Sequence, residues 1–85
     1  MKTENVVITS GAWGAVTVTP IDSVTSYTVR ARSGADFLLS SYADGSEYFT
    51  VSGVLTVDDI RNSTSNMFYA KSTIASDTLE LILFS

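Results

Sequence analysis

From residue 27 to residue 53 the chain reads YTVRARSGADFLLSSYADGSEYFTVSG, and its apolar residues return at every second position between turn formers. Tyr27, Val29 and Ala31 alternate with Thr28, Arg30 and Arg32, the mark of a strand with one dry and one wet face. Ser33-Gly34-Ala35-Asp36 breaks that run and Phe37-Leu38-Leu39 restarts it. A second turn at Ala43-Asp44-Gly45-Ser46 leads into Tyr48-Phe49-Thr50-Val51, and Gly53 closes the unit as three strands joined by two turns.

The flanks continue the same pattern. Residues 5–9 predict a strand with Val6 and Ile8 facing one way. Residues 16–19 predict a second, ended by Pro20, which cannot donate to a central ladder. Residues 21–25 form a short crossing segment whose periodicity leaves strand and non-strand open. Residues 54–57 predict a further strand. The polar run 58–66 reads as a surface loop, with room for one helical turn at 58–61 capped by an aspartate. Residues 67–71 resume a strand, and Ala75-Ser76-Asp77 turns into a last one over 78–84. No helical period lasts three turns. About eight short strands at this spacing predict an all-β, antiparallel sandwich or small barrel, a single domain over residues 1–85.

The last strand is apolar on both sides: Leu79, Leu81 and Leu83 on one, Glu80, Ile82 and Phe84 on the other. Such a strand is either sandwiched centrally or shared with another chain. Ile82 and Phe84 are therefore candidate intersubunit contacts, unless Phe84 only covers the bottom of the sandwich.

At 85 residues the chain buries only about 60–65% of its unfolded surface, so its own core gives limited stability. It has no cysteine and no histidine, which excludes disulfides, zinc sites of the usual ligand set and iron–sulfur clusters. Self-association or docking on a larger partner is the staple that remains. Charged residues make up only 16%, and surfaces of Ser and Thr resist association poorly. The net charge of −4, with Lys2, Arg30, Arg32, Arg61 and Lys71 scattered, argues against nucleic acid as a partner. Met1-Lys2-Thr3-Glu4 lacks the apolar stretch of a secretory leader, and no apolar run reaches membrane-spanning length. A soluble intracellular product with no membrane partner is expected.

Catalysis has few residues to draw on. The adjacent carboxylates Asp58 and Asp59 point to opposite sides of an extended segment and suit a loop or a helix cap better than acid–base work. Asp44-Gly45-Ser46-Glu47 reads first as a hairpin turn, second as a weak metal site completed by carbonyl groups. Asn62-Ser63-Thr64 matches the glycosylation sequon without a secretory context to use it. No catalytic, metal or cofactor residue is predicted, and an enzyme is not expected. Arg30 and Arg32 share one side of their strand and reach either carboxylates of a partner or, within the chain, Asp36 or Glu47. Trp13, bracketed by Gly11 and Gly14, is either a core plug or an exposed anchor. The candidate interface residues are thus Trp13, Arg30, Arg32, Ile82 and Phe84.

The run TVRARSGADFLLSSYADGSEYFTV, then a polar loop, then FYAKSTIASDTLELILF resembles small tailed-bacteriophage virion proteins. In these an RA…GAD…LLSS…GSEYFT core precedes a FYAKS…TLELI tail strand. The resemblance covers residues 27–84 and rests on strand and turn chemistry. It implies a compact β-sandwich or jelly-roll module that decorates or cements the capsid, bound to the major capsid protein as a trimer or dimer. It implies no cofactor, and a place on the capsid surface of a virion assembled in the host cytoplasm. The runner-up is a small fibre or tail component that binds a receptor or glycan, where exposed Tyr42, Tyr48 and Trp13 stack on sugar faces. No contact residue carries over from the family.

Overall fold

The computed structural model describes residues 2–18, 26–58 and 66–84, with the backbone alone at 2, 58 and 66. Pro20, the crossing segment 21–25, most of the helical turn expected at 58–61, Asp59 and the sequon lie outside the described residues. The described residues form eight strands, in chain order β1 (Lys2–Thr9), β2 (Gly14–Val18), β3 (Ser26–Ala31), β4 (Phe37–Ser40), β5 (Tyr48–Val51), β6 (Val54–Asp58), β7 (Asn66–Ser72) and β8 (Ser76–Phe84). Among the described residues there is no helix.

Two four-stranded antiparallel sheets result, ordered β1-β8-β3-β6 and β2-β7-β4-β5. First pairs with eighth, second with seventh, third with sixth, and fourth with fifth. That is one long hairpin rolled up on itself, the jelly-roll arrangement of two packed sheets. The all-β antiparallel sandwich expected from the alternation is what forms.

The alternation also fixes which side of each strand is dry. From the first sheet Ile8, Tyr27, Val29, Ala31, Leu79, Leu81 and Leu83 point inward. From the second, Val16, Val18, Phe37, Leu39, Val51, Phe68 and Ala70 meet them in one core. The Tyr27 and Phe68 rings lie nearly parallel across the gap, centroids 6.5 Å apart, and burial raises the Tyr27 phenol above its usual pKa.

Several boundaries differ from the sequence reading. The first strand begins at Lys2 rather than at residue 5, because Lys2, Thr3 and Glu4 pair with Leu83, Ile82 and Leu81. Pairing with a long central partner makes this polar segment a strand where its own pattern does not. The second begins at Gly14, opposite Ala70. The last begins at Ser76, so Asp77 is a strand residue opposite Ile8 rather than part of a turn. The three-strand unit of residues 27–53 divides between the layers: β3 belongs to the first sheet, and only β4 and β5 form a hairpin.

Candidate functional site

The outer side of the first sheet is set by register. Arg30 lies between Glu80 and Val54, Thr28 between Ile82 and Thr56, and Ser26 opposite Phe84. Arg32 follows on, its backbone N–H donating to the Thr78 carbonyl at 2.8 Å. Arg30 Nε donates to Glu80 Oε1 and Arg32 Nε to Glu80 Oε2, each at 3.1 Å. The intramolecular partner of both arginines is therefore Glu80, fifty and forty-eight residues away, and neither Asp36 nor Glu47. The Arg32 hydrogen bond, joined by that of Arg30 and both positive charges, outweighs desolvation and holds the Glu80 carboxyl below its usual range.

Each guanidinium contributes only its Nε to this arrangement. Among the described residues neither has a second partner, so the terminal nitrogens remain available to an acceptor. Beside them a shallow depression of about 280 Å³ is lined by Thr3, Asn5, Thr28, Arg30, Glu80 and Ile82. Phe84, 38% exposed, lies farther along β8. Four of the five candidate interface residues thus gather on one face: two cations sharing one carboxylate, two apolar side chains and a surround of hydroxyls.

Trp13 lies elsewhere, just before β2, and is neither a core plug nor a fully exposed anchor: it is half-buried on the outer side of the second sheet. Its ring meets Tyr48 at a centroid distance of 5.7 Å and a tilt of 50°. Lys71 Nζ sits 5.9 Å from the ring centroid, within range of a cation–π contact. The backbone of Gly45 presses against the indole so closely that a Cβ there would run into Cε2 and Nε1. β2 and β5 are opposite edges of their sheet, so the connection from β4 to β5 must fold back over the sheet to meet Trp13.

That fold-back is tied down by short polar contacts. Ser40 faces outward by register, yet it is only 2% exposed under the returning loop. Its hydroxyl donates to the Glu47 carbonyl and accepts from the Tyr42 N–H. Asp44 accepts from the Ser46 N–H at 3.0 Å, an Asx turn whose hydrogen bond also lowers the Asp44 pKa. The loop leaves Tyr42 51% and Tyr48 58% exposed at the lip of a cleft of about 340 Å³.

A third polar cluster supports the frame. Asp77, 7% exposed, accepts from the Ser33 hydroxyl at 2.6 Å, the Ser33 N–H at 3.3 Å and the Thr78 N–H at 2.8 Å. Burial pushes its carboxyl up, but these hydrogen bonds and the Arg32 charge outweigh burial and bring it below its usual value. Asp77 thereby pins the β3–β4 crossing to the start of β8. Sequence reasoning missed Glu80 and Asp77, since a pairing across fifty residues leaves no local trace. The one available signal was Glu80, an acidic residue set among the apolar side chains of residues 79–84.

Compared with protein-family models, curated proteins and solved structures, the chain matches none.

Proposed function

We propose that this chain is a structural virion protein of a tailed phage, a binding protein rather than a catalyst, which cements or decorates the capsid shell through the outer face of β1-β8-β3-β6. The single observation that supports the reading is the convergence on that face of Arg30, Arg32, Ile82 and Phe84, beside the resemblance of residues 27–84 to such proteins. Two guanidinium groups aimed by one shared carboxylate leave a local surplus of positive charge on a chain of net charge −4. An acidic patch on the major capsid protein is the complement, met by bidentate hydrogen bonds while Ile82 and Phe84 are desolvated.

Magnitude decides how such a face must work. Nine residues of β8 by four strands measure roughly 30 × 19 Å, or about 600 Å². A stable interface uses about 800 Å² per partner, so one copy on one face binds weakly. Binding across neighbouring capsomers, or as a dimer or trimer, multiplies a modest affinity through avidity. β1, an eight-residue edge strand with Val7 exposed, is the natural seam for self-association. Quantitative mass spectrometry of purified virions tests this reading: a copy number tied to the number of capsomers is expected. A few copies per particle would instead favour the fibre or tail component, and absence from the particle would remove both.

A further inference from the structure

We infer that the β4–β5 hairpin carries a binding site for a neutral sugar, with the Tyr42 and Tyr48 rings as stacking platforms and Glu47 as the hydroxyl acceptor. The site stands apart from the shell-binding reading, because it uses the other sheet.

The geometry supplies each part that a pyranose needs. A sugar ring offers a C–H face to an aromatic ring and hydroxyls at its rim to polar groups. Three large rings are exposed at the hairpin, those of Tyr42, Tyr48 and Phe49, and that of Tyr48 is held in place. Tyr48 is backed by Trp13, which is itself seated on Gly45 and Lys71. The main chain at Tyr42 is tied through its N–H to the Ser40 hydroxyl. A ring already backed in this way, as that of Tyr48 is, loses little freedom when a ligand arrives. The cleft between the two tyrosine rings, lined by Ser41, Tyr42, Glu47, Tyr48 and Phe49, holds about 340 Å³, near the lower end of ligand pockets at about 300–1,000 Å³. That suits one sugar ring rather than a peptide. Among the described residues no side chain pairs with the Glu47 carboxylate, so both its oxygens can accept from vicinal hydroxyls.

Charge narrows the class. Asp44 and Glu47 make the hairpin acidic, and the cation near it, Lys71, lies over the Trp13 ring. A sialoside or uronate would meet like charge, whereas a neutral pyranose would not.

The test is an NMR titration of the full ¹⁵N-labelled chain with the methyl glycosides of galactose, mannose, glucose and N-acetylglucosamine, and with a methyl sialoside as the anionic probe. At least one neutral glycoside should give saturable shifts confined to residues 41–49 and the Trp13 indole N–H. Tyr48→Ala, at a surface position that leaves the core intact, should weaken that binding by at least about fivefold. Tyr48→Phe, which keeps the ring, should stay within about twofold, and Ile82→Ala on the other sheet should leave binding unchanged. Absence of saturable shifts with every neutral glycoside overturns the inference. So do undiminished binding by a folded Tyr48→Ala and equal affinity for the sialoside. Ile82→Ala losing its shell contacts while keeping the sugar, or the reverse for Tyr48→Ala, tells the two sites apart.

Discussion

Gly45 carries two constraints at once. Its φ of +67° lies in the left-handed region, and the Trp13 indole occupies the space a Cβ would need. Gly53 has a similar φ, +82°, but open surroundings. Gly53→Ala should therefore lose only the backbone term, about 1–2 kcal/mol. Gly45→Ala should lose that plus an overpacking term of about 1–3 kcal/mol. Urea unfolding of the two variants separates the terms; equal losses would mean that Trp13 is not seated on the loop. At Asp77 the prediction concerns pH. A carboxyl with its pKa lowered by folding adds stability that is complete above the unfolded value, near 3.9, and is lost as pH falls through the folded value. Melting temperatures measured from neutral pH downward should drop more steeply for the parent chain than for Asp77→Asn. Glu80 and Asp44 shift in the same direction, so the difference between the two profiles is the quantity to read. Parallel profiles would remove Asp77 as the pin of the β3–β4 crossing.

β8 organises the first sheet. It is the longest strand, paired on both sides, with a buried side at Leu79, Leu81 and Leu83 and an outer side at Glu80, Ile82 and Phe84. Leu81→Ala should destabilise by about 2–5 kcal/mol, a large share of the roughly 4–13 kcal/mol expected for a chain of this length. Ile82→Ala, one residue on and half-buried, should lose only about 1 kcal/mol. Chemical denaturation compares the pair, and similar losses would mean that the outer side is covered by protein after all. Strands of this kind were legible in the sequence because alternation is a local property: Tyr27, Val29 and Ala31 face the core as their spacing says. Sheet membership was not legible. The turn after Ala31 and the turn after Ser40 use the same residue types, yet one crosses between layers and the other closes a hairpin. The β1 extension to Lys2 was hidden for a related reason, since only its partner makes it a strand. Of the candidate site, the sequence separated wet from dry positions. It did not place Arg30 and Arg32 on Glu80, or Trp13 on Gly45 and Tyr48, because those contacts exist only once the roll has closed.

Over the whole molecule, 4903 Å² remains exposed at a mass of 9.1 kDa, close to the roughly 4,900 Å² normal for a monomer of that size. The unfolded chain exposes roughly 13,000 Å², so about 63% is removed. The fold has no abnormal gap to fill; its modest stability comes from smallness, and added contacts are the remaining source of strength in a chain without cysteine or histidine. On the proposed reading those contacts belong to other copies and to a shell. Analytical ultracentrifugation should accordingly show reversible dimers or trimers as concentration rises, and a monomer at all concentrations would leave shell binding to single copies. On the proposed reading the most direct measurement is calorimetry of expanded, empty tailed-phage shells, with and without the purified protein. A saturable rise in shell melting temperature is expected, reduced when Arg30 and Arg32 are changed to Glu. Shells that neither bind the protein nor melt later would contradict the proposal.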